Sequence, residues 1–183
     1  MNNVIIIGGG AAGYFTAINA KENNPELDII ILEKGKDVLQ KVKISGGGRC
    51  NVTHACFEPK ELVKFYPRGE KELLGPFHQF MTGDTFEWFD NRGVPLKIEA
   101  DNRVFPEANT SQAIIDCFQK AVEKLKIKVF TNHGVNSVSR QENKWIINTK
   151  SQVFEADKLV IAAGSSKKVW QLCESLDHAI IAP

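Results

Sequence analysis

The sequence has no charge excess of either sign. Among its 183 residues, 23 Lys and Arg balance 22 Asp and Glu, which leaves a formal net charge of +1. A protein that binds nucleic acid or an anionic membrane surface through charge needs a basic excess. The composition therefore predicts neither a nucleic-acid partner nor a membrane partner.

Long hydrophobic runs are also lacking. Runs such as Val4–Ile7 and Ile29–Leu32 last only a few residues, whereas a helix that crosses a bilayer needs about 20 apolar residues. The first residues, Met1-Asn2-Asn3, have neither the positive flank nor the apolar stretch of a signal peptide. From these features we expect a cytoplasmic protein.

Cysteine is scarce and irregularly spaced. In a chain without a secretion signal we expect reduced thiols and no disulfide framework. The group Cys50, His54 and Cys56 contains soft metal ligands, but its spacing is not that of a zinc site. We therefore predict no metal site. The four cysteines are Cys50, Cys56, Cys117 and Cys173.

The first 34 residues have the pattern of a βαβ unit. Val4–Ile7 is a β-branched run without polar alternation, as in a strand buried on both faces of a parallel sheet. Three glycines follow, then a helical stretch that Asn23-Asn24-Pro25 ends, then a second buried strand at Asp28–Leu32. This order predicts an α/β fold with a central parallel sheet.

The turn of this unit fits the dinucleotide-binding fingerprint G-x-G-x-x-G. Gly8 permits the tight turn, Gly10 lets a pyrophosphate approach the backbone, and Gly13 lets helix and strand pack closely. The amides of Ala11 and Ala12 open the helix and point toward the anion, aided by the helix dipole. The alternative is a βα turn that binds nothing.

Glu33 ends the second strand, 20 residues beyond Gly13. At this position a carboxylate can accept the hydroxyls of an adenosine ribose, as in FAD or NAD. A ribose 2′-phosphate would meet a like charge there, which disfavours NADP. The neighbouring Lys34 weakens this exclusion.

The remaining sequence alternates less regularly. Residues 36–106 contain short helical stretches, and the aromatic residues at helical spacing in this part predict a core. An amphipathic helix at Ser111–Leu125 precedes a β-rich stretch, Val135–Glu155, and a last buried strand at Leu159–Ala162. We expect the sheet to carry a β-meander on one side and helices on the other. The aromatic residues are Phe77, Phe80, Phe86, Trp88 and Phe89.

The order of meander and strand resembles the two-dinucleotide-binding flavoproteins, whose FAD domain has a strand ending in Ala-Thr-Gly after a meander. Here that strand ends in Ala162-Ala163-Gly164, with Ala163 in place of the threonine. The resemblance places Val135 near the adenine and Ala163 and Gly164 in the cofactor site. It implies FAD as the cofactor.

The segment Lys41–His54 resembles the signature of the BaiN-type bacterial NAD(P)/FAD-dependent oxidoreductases, and Asn102–Pro106 matches a second segment of that family. The resemblance implies that Lys41 and the loop after it line the flavin side of the FAD site. Consecutive glycines there let the backbone approach a ligand, and an arginine adds positive charge. The alternative is a mobile surface loop. The loop residues are Ser45, Gly46, Gly47, Gly48, Arg49, Cys50 and Asn51.

Family members are longer than this chain. The resemblance therefore implies one truncated Rossmann-like FAD-binding domain over residues 1–183, which lacks the substrate domain and a C-terminal segment that closes the FAD site. The last strand would then leave an open sheet edge through which the chain could self-associate.

The predicted function is that of the FAD-binding portion of a flavin-dependent oxidoreductase. Its substrate would be a small molecule, and NAD(P)H is the candidate electron donor. The alternative is a non-catalytic module that binds FAD or NAD. No spacing of titratable residues identifies a catalytic group.

Overall fold

The computed structural model describes residues 2–181. Its contacts divide the chain into two compact units, one formed by Met1–Lys41 with Phe118–Pro183 and the other by Val42–Cys117. The helices are α1 (Ala11–Asn23), α2 (Gln40–Gly48), α3 (Pro59–Leu62), α4 (Glu70–Phe77), α5 (Thr82–Asp90), α6 (Ser111–Lys124) and α7 (Lys167–Glu174). The strands are β1 (Asn3–Ile7), β2 (Asp28–Leu32), β3 (Thr53–His54), β4 (Leu96–Ile98), β5 (Arg103–Pro106), β6 (Lys128–Phe130), β7 (Val135–Gln141), β8 (Lys144–Thr149), β9 (Val153–Ala156) and β10 (Lys158–Ile161).

A four-stranded parallel sheet forms the first unit, in the order β10-β1-β2-β6. β1 lies inside this sheet, and Ile5 and Ile6 are fully buried. Burial on both faces explains why β1 is an unbroken β-branched run rather than an alternating one. The predicted Rossmann-like architecture with a central parallel sheet is confirmed.

The two faces of the sheet pack on different layers. Ile5 and Ile7 share one apolar core with residues of the meander β7-β8-β9 and of α7, among them Ile147 and Leu172. α1 packs against β1 and β2, and because strand side chains alternate, Ile6 faces away from the core that holds Ile5. The carboxyl ends of β1, β2 and β10 therefore emerge between two packed layers.

β10 is the edge strand of the described sheet beside β1. Ile161 at its end is 39% exposed. An edge strand presents unpaired backbone groups that can bind a further strand. Self-association through this edge stays a prediction.

The second unit holds the predicted helical insertion and its own sheet, β3-β5-β4, which is antiparallel. Trp88 and Phe89 on α5 are buried as expected, at 6% and 5% exposure, but Phe80 is 38% exposed. The core prediction is wrong for Phe80 because α4 contains Pro76 and ends at Phe77. Phe80 therefore lies outside the helical spacing.

Across residues 2–181, none of the helices has both the length and the apolar character needed to cross a bilayer.

Candidate functional site

Backbone packing fixes the fingerprint turn of the first unit. A Cβ on Gly13 would clash with the carbonyl oxygen of Gly8. A Cβ on Gly8 would clash with the carbonyl group of Ala162, at the end of β10. These two glycines let β1, α1 and the chain after β10 approach each other closely, as the spacing of the fingerprint predicts.

Gly10 is the one glycine of the fingerprint that faces open space. A Cβ there would meet no protein atom within 4 Å. Gly10 is also the N-cap of α1, with no side-chain capping bond and no acidic residue in the first turn. The first intrahelical bond runs from the Tyr14 N–H to the Gly10 oxygen at 3.0 Å. The N–H groups of Ala11 and Ala12 lie before Tyr14 and have no acceptor within the helix, so an anion can accept hydrogen bonds from them.

Glu33 is held in the loop after β2 by two backbone amides. Its Oε2 accepts the Gly9 N–H and its Oε1 accepts the Gly35 N–H, each at 2.8 Å. A carboxylate has about four acceptor positions, so each oxygen can still accept a bond from a ligand hydroxyl. This double anchoring joins Glu33 directly to the glycine turn, a contact that the sequence spacing does not reveal.

Two further predicted residues lie beside this loop. Lys34 is exposed, and a Cβ on Gly134 would lie 3.3 Å from the Lys34 Cβ. Val135 is 5% exposed and belongs to the core of the first unit. Its side chain is therefore committed to packing, and only its main chain is available for a ligand.

The predicted residues at the end of β10 are joined to Lys41. The Lys41 ammonium donates to the Ser165 hydroxyl at 2.6 Å, and a Cβ on Gly164 would lie 3.7 Å from Lys41 Nζ. The Gly164 oxygen accepts the Trp170 indole N–H at 3.2 Å, and Ala163 packs against the core. Lys41, Gly164 and the fingerprint turn thus meet around the carboxyl ends of the parallel strands, where α/β folds bind ligands.

The second unit contains the other glycine-rich segment. Ser45 has extended backbone, and Gly46, Gly47 and Gly48 follow with φ of 56°, 68° and 85°. The loop closes with the Cys50 N–H donating to the Ser45 oxygen at 2.9 Å. Three successive positive φ values favour glycine and expose a row of backbone amides.

Arg49 is committed to partners inside the second unit. Its guanidinium donates to Glu99 at 2.6 Å and to Asn109 at 3.3 Å, and it lies 3.9 Å from the centre of the Phe105 ring. From the sequence, this arginine is expected to add positive charge at the ligand site. In the structure the Arg49 guanidinium forms an ion pair with Glu99, so the main role of Arg49 is to stabilise the loop.

Cys50 and Asn51 complete the loop. Cys50 is 6% exposed, and burial raises the pKa of its thiol, an effect that a hydrogen bond with Ser45 partly opposes. The Asn51 side-chain amide hydrogen-bonds the Val104 backbone at 3.3 Å. The assignment of residues 45–51 to the flavin stays a prediction.

Tyr14 is a titratable residue that sequence reasoning missed. It is 2% exposed on α1. Burial raises its pKa to about 12, and the charge of Glu33 adds to this rise. A tyrosine that directly follows the third fingerprint glycine was the available signal, because α1 turns that position toward the sheet.

The family described as the HI0933-like protein Rossmann domain matches residues 2–183. The chain belongs to this family. Membership confirms the predicted BaiN-type flavoprotein family over nearly the whole sequence.

Two curated relatives illustrate the range of activities among similar proteins. A 3-dehydro-bile acid delta(4,6)-reductase of Clostridium scindens is 26% identical over 188 residues, which are 98% of this chain and 45% of that protein. A ribosomal RNA dihydrouridine synthase of Escherichia coli is 28% identical over 162 residues, 88% of this chain and 39% of that protein. This chain thus spans less than half the length of either relative.

Solved structures share the fold at low sequence identity. THI4 of Thermovibrio ammonificans has a TM-score of 0.66 at 14% identity, covering 97% of this chain and 62% of that one. CtdE, solved in complex with FAD and a substrate, has a TM-score of 0.53 at 16% identity, covering 92% of this chain and 39% of that one. Both confirm the Rossmann-like fold.

Proposed function

We propose that this chain binds FAD through the adenosine and pyrophosphate half of the cofactor and serves as the FAD-binding part of a flavin-dependent oxidoreductase. The observation that carries the proposal is the open space at Gly10 beside the unpaired amides of α1. A pyrophosphate needs both the close approach to backbone and the donors. Family membership supports the choice of FAD.

Glu33 fits the ribose of such a cofactor. Two amides fix its carboxylate at the rim of the glycine turn, and the free acceptor positions can bind both ribose hydroxyls. The same charge would repel a 2′-phosphate. Lys41 is placed to donate to an anionic or carbonyl oxygen, since its ammonium has three N–H donors and the Ser165 hydroxyl accepts one of them.

The cofactor supplies hydride exchange, and this chain supplies binding, orientation and electrostatics. NAD(P)H belongs to the proposal as electron donor, because the resembled family is NAD(P)/FAD-dependent. The substrate is proposed to be a small molecule, because a net charge of +1 supplies no footprint for a polyanion. None of the four cysteines forms a disulfide in the described part of the chain, which supports the proposal of a cytoplasmic location.

A flavin titration of the purified chain tests FAD binding. We expect Gly10→Val to lower FAD affinity at least about tenfold, because the branched side chain fills the pyrophosphate position and removes charge-assisted bonds. The fold should survive, since Gly10 has φ −93° and nothing within 4 Å of a Cβ. Gly83→Val is the matched control, because a Cβ on Gly83 also meets no atom within 4 Å. Equal FAD affinity in both variants contradicts the proposal.

Turnover separates an oxidoreductase from a binding module. The FAD-loaded protein is mixed with NADH or NADPH, and bleaching of flavin absorbance reports electron transfer to the cofactor. Bleaching supports the enzyme. Stable FAD binding without reduction by either donor favours the non-catalytic module.

A further inference from the structure

The second unit contains a cleft of about 340 Å³. It is lined by the chain from Asn51 to His54, which includes β3, and by Leu62, Phe65 and Tyr66. This volume lies at the small end of the range for sites that bind small molecules. The cleft shares no residue with the fingerprint turn.

Two aromatic rings project into this cleft although water covers much of their surface. Phe65 is 59% and Tyr66 is 41% exposed, whereas the preceding Leu62 is 4% exposed and anchors the segment. Neighbouring rings hold both in place: Phe65 lies 4.3 Å from the His54 ring and Tyr66 lies 5.4 Å from the Phe77 ring. Ordered aromatic faces that remain in water are typical of a binding surface.

The His54 part of the lining offers hydrogen bonding. Thr82 donates its hydroxyl to the His54 carbonyl oxygen at 2.9 Å and so fixes the end of β3. Within residues 2–181, neither ring nitrogen of His54 has a hydrogen-bond partner. A neutral imidazole has one donor and one acceptor, so this edge can bind a polar group of a ligand in either role.

We propose that this cleft binds a planar aromatic small molecule, which stacks on Phe65 and Tyr66 and hydrogen-bonds through a polar substituent to the His54 ring. No lysine or arginine lines the cleft in the described chain, so an anionic group would find no partner there. The aromatic faces give a flat ring more contact than a saturated ring of equal size. Of the lining residues, Asn51 also belongs to the loop predicted to line the flavin. The ligand is proposed to bind in addition to FAD, and its binding does not require the proposed function to be correct.

The probe for stacking is 2-naphthol, and its saturated analogue decahydro-2-naphthol is the control ligand. Saturation-transfer NMR titrations should give saturable binding of 2-naphthol and weaker binding of the analogue. Phe65→Leu should lower 2-naphthol affinity by roughly two- to tenfold, the share that aromatic contact adds beyond buried area. Phe57→Leu is the matched protein control, because Phe57 is 53% exposed in the same unit but does not line the cleft.

The hydrogen bond is tested with His54→Phe, which keeps a ring against Phe65 and removes both nitrogens. The unaltered protein should prefer 2-naphthol to naphthalene, and this variant should lose the preference. A protein that binds 2-naphthol but not FAD contradicts only the proposed function. Repeating the 2-naphthol titration with saturating FAD then shows whether the two ligands compete. Absence of saturable binding, equal affinity for the saturated analogue, no effect of Phe65→Leu, or displacement by FAD would each overturn the proposal.

Discussion

The chain uses three consecutive glycines twice, and the two places need them for different reasons. In the fingerprint turn, Gly8 and Gly13 are required because neighbouring backbone leaves no room for a Cβ. In the loop of the second unit, Gly46, Gly47 and Gly48 all have positive φ, and a Cβ on Gly47 would meet nothing within 4 Å. Contact is the constraint shared by Gly8 and Gly13, with a φ of 117° added at Gly8, whereas positive φ is the constraint shared by the three loop glycines, with a contact added at Gly46.

This difference shows why one segment could be interpreted in more detail than the other. A fingerprint inside a βαβ unit has a known task for each glycine, since the fold fixes which backbones approach. A run of left-handed residues exposes amides but does not by itself identify what they bind. Substitutions that separate contact from conformation therefore test the comparison.

The largest effect is expected at Gly13. Gly13→Ala should lower the free energy of unfolding by about 3 kcal/mol or more, because its Cβ would clash with the Gly8 carbonyl and neither backbone can move without disturbing the sheet. Urea unfolding followed by circular dichroism measures the loss. Gly10→Ala, in open space on the same turn, should change stability by less than about 0.5 kcal/mol. Similar losses in both variants would mean that contact does not constrain this turn.

In the second segment, two adjacent glycines allow the same test. Gly46→Ala should cost about 2–3 kcal/mol, because positive φ and a Cβ at 2.7 Å from the Asn51 nitrogen both oppose it. Gly47→Ala has only the positive φ and should cost about 1 kcal/mol. Urea midpoints of the two variants give the difference directly. If Gly47→Ala is the more damaging, the contact expected for a Cβ on Gly46 adds nothing to the cost of substitution.

The sequence predicted the first unit well. Strands β1 and β2, helix α1 and the meander were placed within a residue or two, because buried β-branched runs and turn residues mark them clearly. The second unit was predicted less well. β3 was missed because a two-residue strand has no periodicity, and it exists only through pairing with β5.

Side-chain partners were the part of the candidate site that the sequence could not provide. The pairing of Arg49 with Glu99 joins residues 50 positions apart, and the anchoring of Glu33 by Gly9 spans 24. Such contacts arise from the fold rather than from local spacing. The contacts of Arg49 with Glu99 and Phe105 indicate that it stabilises the loop rather than offering an unpaired charge to a ligand.

Removing these Arg49 contacts should have a smaller effect on stability than Gly13→Ala or Gly46→Ala. Arg49→Lys should lower the free energy of unfolding by about 1 kcal/mol, because lysine cannot both pair with Glu99 and lie flat on Phe105. Arg103→Lys is the control, since its pair with Asp101 is about half exposed and its guanidinium lies farther from the Phe105 ring, at 5.5 Å, so the change should contribute less. Equal losses in the two variants would remove the bracing role from Arg49.

The smallest effect belongs to Tyr14, next to the fingerprint turn, and appears only in alkali. Burial, with the Glu33 charge, raises the Tyr14 pKa from its usual value of 10.0 to about 12. The folded state therefore keeps the hydroxyl proton to higher pH than the unfolded chain does, and the stability this provides is complete below pH 10 and lost as the pH rises toward 12. At pH 10.5 the loss should be roughly 0.5–1 kcal/mol.

Urea unfolding at pH 7, 9.5 and 10.5 measures this slope in the unaltered protein and in Tyr14→Phe, which has no hydroxyl to ionise. The free energies of unfolding of Tyr14→Phe and the unaltered protein should differ by a constant amount up to about pH 9.5. Above that pH the unaltered protein should lose more stability than the variant. Tyr66→Phe, at a 41% exposed position in the other unit, controls for the loss of any tyrosine. If Tyr14→Phe and the unaltered protein keep parallel curves to pH 10.5, the Tyr14 hydroxyl ionises as it would in water, and the turn beside it is open to solvent rather than closed by contact.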